Sequence, residues 1–275
     1  MIVDCTDPDA RDAAIEQAAA VVRQGKVVVL PTDTVYGVGA DAFDVVAVAM
    51  VLAAKHRGRE MPPPVLVGNE LTVDGLATDV PMYARILMRQ FWPGALTLVL
   101  KAQPSLTWDL GETNGTVALR MPDDEVALQL LQRVGPMAVT SANVTGQPPA
   151  TTAQEAQAQL GGAVALYLDA GPRTGTAAST IVDCTGEEPV VLRHGAIPAD
   201  RLREVLGTTV LHDTPPAPED TAEDGVADDE RPGADGGGPP APRLVGSVRP
   251  SGIRVPRQAL RQVPPGQRRP ADHHA

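Results

Sequence analysis

Short apolar runs alternate with amphipathic stretches through the first 211 residues of this 275-residue chain, and no other feature restricts its fold as much. Runs with period-2 or fully apolar character read as strands, and runs with 3.6-residue periodicity read as helices. A helix is expected over 8–24: Asp7 stands at its N-cap, and Ile15, Ala18, Ala19 and Val22 fall on one face. Asp44 caps a second helix reaching about residue 54, and Asp79 opens a third that stops at Trp92-Pro93-Gly94. Asp123 starts a fourth, Thr152 and Glu155 form a capping box for a fifth, and Pro198 begins the last. Strands are expected at 26–30, 64–67, 96–101, 116–120, 137–140, 164–168, 180–183 and 190–193. The later strands cluster without intervening helices. An α/β fold follows, with a twisted mixed sheet and helices on its faces rather than a regular doubly wound sheet.

The composition changes after Leu211. Residues 212–275 hold 12 Pro and 8 Gly and no Phe, Trp or Tyr. Such a stretch buries too little apolar surface to offset its chain entropy. The reading is therefore one domain at 1–211 followed by a disordered Pro/Gly-rich tail at 212–275. The tail is charge-segregated: eight acids lie between residues 213 and 230, and seven arginines between 243 and 269. It is read as a solubilising segment.

The net charge of −11 argues against an extended nucleic-acid surface, though not against a local cationic pocket. No apolar run approaches the length of a membrane span, and the N-terminus carries acids where a signal peptide needs bases. Cys5 and Cys184 are far apart and belong to no metal-binding pattern. No metal site is expected from the side chains, and the expected location is the cytoplasm.

Three loop segments concentrate polar chemistry. Pro31-Thr32-Asp33-Thr34-Val35-Tyr36-Gly37 follows a buried strand directly, where α/β sheets present ligand groups; an ordinary turn is the competing reading. Lys55-His56-Arg57-Gly58-Arg59 reverses the sign of charge on an acidic body. Cations there also suit the negative end of a helix. An extended chain would put Lys55 and Arg57 on one face, able to grip a polyphosphate. Thr140-Ser141-Ala142-Asn143 again follows an apolar strand, and no His/Asp pattern supports Ser141 as a triad nucleophile. Arg120 ends a strand and could fork onto a carboxylate or pair with a neighbouring acid. Ser179 and Arg193 flank later strands. Neither of the glycine-rich phosphate loops is present.

Taken in order, PTDTVYGVG, K-x-R, TVALRMP, S-A-N, STIVD and VLRHG resemble the YrdC/TsaC-type L-threonylcarbamoyladenylate synthases, over about residues 10–207. The resemblance implies a twisted α/β sheet with a cationic concave cleft. It implies a nucleotidyltransferase that makes threonylcarbamoyl-AMP and pyrophosphate from L-threonine, bicarbonate or CO2, and ATP, for tRNA threonylcarbamoyladenosine modification. Mg²⁺ would accompany ATP. A downstream threonylcarbamoyl-transferase complex would take the product, and any tRNA contact would be weak. By resemblance, Lys55, Arg57, Ser141 and Asn143 form the catalytic set. ATP is bound by those four with Thr116 and Arg193, and threonine by Thr34, Arg120 and Ser179. One stretch departs from the pattern. Relatives usually place Pro and then Lys or Asn after K-x-R, whereas this chain has Gly58-Arg59-Glu60-Met61-Pro62. Arg59 is the residue available to take up part of that role. The alternatives are an RNA-binding module of the same fold without turnover, and a carbamoyl-adenylate module of the hydrogenase-maturation type.

Overall fold

The computed structural model describes residues 1–175 and 177–213. Of the tail expected at 212–275, residues 214–275 lie outside the described residues. The elements in chain order are β1 (Ile2–Asp4), α1 (Pro8–Arg23), β2 (Val28–Leu30), β3 (Gly37–Asp41), α2 (Val45–Ala54), β4 (Val65–Leu66), α3 (Val73–Leu76), β5 (Ala77–Thr78), α4 (Met82–Phe91), β6 (Leu96–Ala102), β7 (Thr116–Arg120), α5 (Glu125–Val134), β8 (Met137–Ser141), α6 (Ala153–Leu160), β9 (Leu166–Asp169), β10 (Thr180–Asp183), β11 (Val190–Arg193), α7 (Ala199–Leu206) and β12 (His212–Asp213). The strands form one mixed sheet in the order β1-β9-β2-β3-β8-β4-β7-β6-β10-β11-β12, with β5 paired to β6. The expected α/β class and mixed sheet are observed.

Strand alternation decides what each face of the sheet meets. On β2, Val28 and Leu30 pack with Ile15 of α1 and Leu130 of α5, while Val29 packs with Val51 of α2 and Ala156 of α6. That part of the sheet is covered on both faces, in keeping with the unbroken apolar run from Val27 to Leu30. The other half is covered on one face. Leu96, Leu98 and Leu100 of β6 and Leu119 of β7 pack on Leu87 and Met88 of α4 and Leu202 of α7. The intervening residues Thr97, Val99, Thr116, Ala118 and Arg120 point to the opposite face, where they line a cavity.

Three of the five side-chain caps expected from the sequence are observed. Asp7, Asp44 and Thr152 each accept a backbone N–H from the first turn of their helix. Glu155 reaches back to the N–H of Thr151, one residue before the cap. The fourth helix is capped by Asp124 rather than Asp123. Asp79 caps nothing: it has φ 51°, and α4 begins after Pro81 instead. The short β1, β5 and β12 and the glycine-containing β3 carry too little periodicity to be read locally. β12 also corrects the domain boundary, because His212 pairs in parallel with Val190, so the domain runs at least to Asp213.

β3 sits against β8 without room for side chains at two positions. A Cβ on Gly39 would lie 2.5 Å from Val139 Cγ2 and 2.7 Å from the Ala138 carbonyl. Gly39→Ala is expected to cost about 1–3 kcal/mol of stability, because strand β8 has to shift. Urea titration measures this, and an unchanged midpoint would contradict the close approach.

Candidate active site

The open face of the sheet forms the floor of a cavity of about 570 Å³, within the range of small-molecule sites. Its rim is made by the three loop segments singled out in the sequence. Seven of the nine expected site residues line it: Thr34, Arg57, Thr116, Arg120, Ser141, Ser179 and Arg193. Lys55 and Asn143 do not.

Arg120 leaves β7 from a site where it is 7% exposed. Its Nη2 meets Asp33 at 2.5 Å, Nη1 donates to Thr34 Oγ1 at 3.3 Å, and Nε donates to the Gly94 carbonyl at 3.0 Å. A guanidinium has five N–H donors, so two remain for a ligand. The pairing with a neighbouring acid is thus observed, and two N–H groups keep no partner among the described residues. Asp33 in turn accepts the Asp123 N–H at 3.1 Å, which ties the loop after β2 to the loop after β7.

Arg57 reaches the cavity from the opposite side. Nη1 donates to Thr140 Oγ1 at 2.9 Å, and Nε donates to the Met61 carbonyl at 2.6 Å. Arg193 donates Nη2 to Ser179 Oγ at 3.0 Å and to the Ser179 carbonyl at 2.9 Å. Burial lowers the pKa of all three guanidiniums, and Arg193 is depressed further by Arg120 and Arg57. Among the described residues no Asp or Glu lines the cavity. Arg120 is paired with Asp33, but Arg57 and Arg193 have no ion-pair partner among the described residues, and cations left open in this way favour an anionic ligand. The Ser141 hydroxyl has no partner among the described residues and lines the same space, whereas Thr116 donates its hydroxyl to the Thr113 carbonyl at 2.8 Å.

Lys55 corrects an expectation. It is 2% exposed, and its ammonium donates to the carbonyls of Ser141 at 2.5 Å and Asn143 at 2.7 Å, and to Asn143 Oδ1 at 3.2 Å. All three protons are used, so Lys55 holds the 141–143 loop and offers none to a phosphate. Asn143 completes that clamp by donating to the carbonyls of Val144 and Gln147. Lys55 and Arg57 part because the chain turns through His56 at φ 52°. The extended arrangement that would align them is not formed. Arg59 does not line the cavity either; it is exposed and pairs with Asp109 at 2.8 Å. Met61 contributes its carbonyl to Arg57, while its side chain is exposed. Tyr36 is structural: its hydroxyl donates to Gly171 at 2.7 Å and accepts the Ala170 N–H at 3.1 Å.

Burial first, and Arg57 second, pull the Lys55 pKa from 10.5 to about 8. The folded state therefore releases this proton before the unfolded state does. Stability relative to Lys55→Met should rise with pH between about 8 and about 10.5. Denaturation midpoints of the two proteins at pH 7.5 and 9.5 check the sign, and a constant difference would contradict it.

Sequence reading did not single out Thr97, which lies in an otherwise apolar strand and lines the cavity. It also left Asp33 and Thr140 without individual roles. Asp33 becomes visible only as the partner of Arg120, and Thr140 as the partner of Arg57.

A mixed α/β domain whose open sheet face carries converging arginines and buried hydroxyls is a small-molecule site for anionic ligands. The chain belongs to the Sua5/YciO/YrdC family, whose model, described as telomere recombination, matches residues 20–195. The Bacillus subtilis protein named threonylcarbamoyl-AMP synthase is 39% identical over 208 residues, which are 74% of this chain and 60% of that protein. A Mycobacterium tuberculosis relative, named provisionally for the same activity, is 56% identical over 204 residues, or 74% of this chain and 94% of that protein. Among solved structures, Pyrococcus abyssi Sua5 complexed with L-threonine is similar with a TM-score of 0.73 and 34% identity, covering 77% of this chain and 62% of that one.

Proposed function

We propose that this chain is an L-threonylcarbamoyladenylate synthase. It takes L-threonine, bicarbonate or CO2, and ATP, and releases threonylcarbamoyl-AMP and pyrophosphate. The observation that carries the reading is the cavity itself: three arginines, no lining carboxylate among the described residues, and buried hydroxyls on the floor. The relatives named for this activity and the threonine-bound relative support it.

The chemistry suits these residue types. The threonine amine adds to CO2 and loses a proton, giving a carbamate. A carbamate oxygen attacks the α-phosphorus of ATP, and the bond to pyrophosphate breaks. Such a reaction needs alignment and neutralisation of charge more than a general base. Arg57, Arg193 and Ser141 face the ATP side, with Thr116 at its edge, and Arg120, Thr34 and Ser179 face threonine. Lys55 and Asn143 act through the loop they hold, as positioning residues. Hydroxyls line the cavity but carboxylates do not among the described residues, so the donor set does not make a resident cation site. Mg²⁺ fits as part of the incoming triphosphate, whose oxygens supply its ligands.

The product is a mixed anhydride, from which a downstream transferase complex would transfer the threonylcarbamoyl group to a tRNA adenosine with release of AMP. No helix among the described residues is long and apolar enough to cross a membrane, and we assign the enzyme to the cytoplasm. The test is pyrophosphate release with each substrate omitted in turn. Release should require L-threonine, bicarbonate and ATP together. Undiminished release without threonine would end this reading, and salt-sensitive tRNA binding without turnover would favour the RNA-binding alternative.

A further inference from the structure

Two hydroxyls in the cavity are fixed by their neighbours in opposite hydrogen-bonding polarity. On one wall, Thr32 Oγ1 donates to the Val35 carbonyl at 2.6 Å and accepts the Thr34 N–H at 3.2 Å. Its single proton is spent, so in the 3.1 Å contact between the two threonine hydroxyls Thr34 is the donor. Thr34 Oγ1 also accepts from Arg120 Nη1 at 3.3 Å. Its proton is used and one lone pair remains. Thr34 thus offers the ligand an acceptor.

On the other wall, Thr97 is 1% exposed and its hydroxyl meets Ser179 Oγ at 2.9 Å, its only side-chain partner among the described residues. A buried hydroxyl proton without an acceptor is costly, so Thr97 donates to Ser179. Ser179 Oγ also accepts from Arg193 Nη2 at 3.0 Å. Both of its lone pairs are then occupied, and its own proton is free to point into the cavity. Ser179 thus offers the ligand a donor.

Thr34 and Ser179 already belong to the threonine side of the proposed function. We propose that Thr97 is a specificity-determining positioning residue there, because it sets the direction of the Ser179 hydroxyl. It so makes Ser179 a donor to the substrate's β-hydroxyl oxygen, while Thr34 accepts from the amine. The inference rests on the synthase reading and deepens it. An amino acid without the hydroxyl leaves the Ser179 proton unpaired, which is a stronger basis for rejection than lost volume.

The test compares L-threonine with L-2-aminobutyrate, which lacks the hydroxyl, in amino-acid-dependent pyrophosphate release. Thr97→Val keeps the shape of the side chain and removes the donor. It should raise the threonine KM about 10-fold and reduce the preference for threonine over 2-aminobutyrate by about the same factor, with the ATP KM within about 2-fold. Thr97→Ser should restore the preference. In a Ser179→Ala background, Thr97→Val should have little further effect on it. An equal loss for both amino acids would mean that Ser179 reads a group they share, and would overturn the assignment. An unchanged preference, or no rescue by Thr97→Ser, would overturn it as well. If the wild-type enzyme releases pyrophosphate without threonine, it is the synthase reading that fails; if the wild type needs threonine and Thr97→Val keeps its preference, only this inference fails.

Discussion

Arg120→Ala should raise the threonine concentration needed for half-maximal pyrophosphate release about 10- to 100-fold, the range for losing a charge-assisted hydrogen bond of about 1.5–3 kcal/mol to the substrate carboxylate. The guanidinium is 7% exposed and joins Asp33, Thr34 and Gly94. Its loss removes the fork for the substrate carboxylate and leaves the Asp33 charge facing the threonine subsite. The ATP requirement should change less than about 5-fold, since Arg57 and Arg193 are untouched. Breaking the buried pair with Asp33 also costs about 3–5 kcal/mol of stability, so a thermal melt must accompany the kinetics. Arg120→Lys preserves the charge, but a single ammonium cannot span three partners on separate loops. An intermediate threonine KM is expected from it. A larger effect on ATP than on threonine would mean that the two subsites have been exchanged.

Arg57→Ala is expected to act in the opposite sense. The ATP KM should rise about 10- to 100-fold, the range for losing a charge-assisted hydrogen bond of about 1.5–3 kcal/mol. Three donors of Arg57 hold Thr140, Met61 and Pro62, which leaves two for phosphate oxygens. The threonine KM should move much less. Lysine at this position should recover part of the ATP affinity through its charge, without restoring the tie to the Met61 carbonyl. Direct nucleotide-binding measurements by calorimetry check this independently of turnover. Unaltered ATP binding by Arg57→Ala would remove Arg57 from the ATP subsite.

These two arginines also show where local sequence runs out. K-x-R suggests a pair acting together on one ligand. The residues are only two apart, yet the turn at His56 sends Lys55 beneath the 141–143 loop and Arg57 into the cavity. The Met61 departure concerns a side chain, whereas the structure uses the carbonyl at that position, which any residue supplies. Arg59, the nearest substitute on paper, is held by Asp109, fifty positions away in sequence.

The three loop segments, the caps at Asp7, Asp44 and Thr152 and most of the strands followed from the sequence, because periodicity and capping are interactions among near neighbours. In the folded sheet, the period-two geometry of β6 and β7 sets Thr116 and Arg120 on the face opposite the leucines. Tertiary structure alone decided which polar groups are spent and which stay open to a ligand. Lys55 is consumed by acceptors 86 and 88 residues along the chain, and Arg120 finds Asp33 across 87. The proton on Ser179 takes its direction from Thr97, 82 residues before it. A hydrogen-bonding group has few donors and acceptors, and which of them remain free is known only once the distant partners that occupy the others are in place.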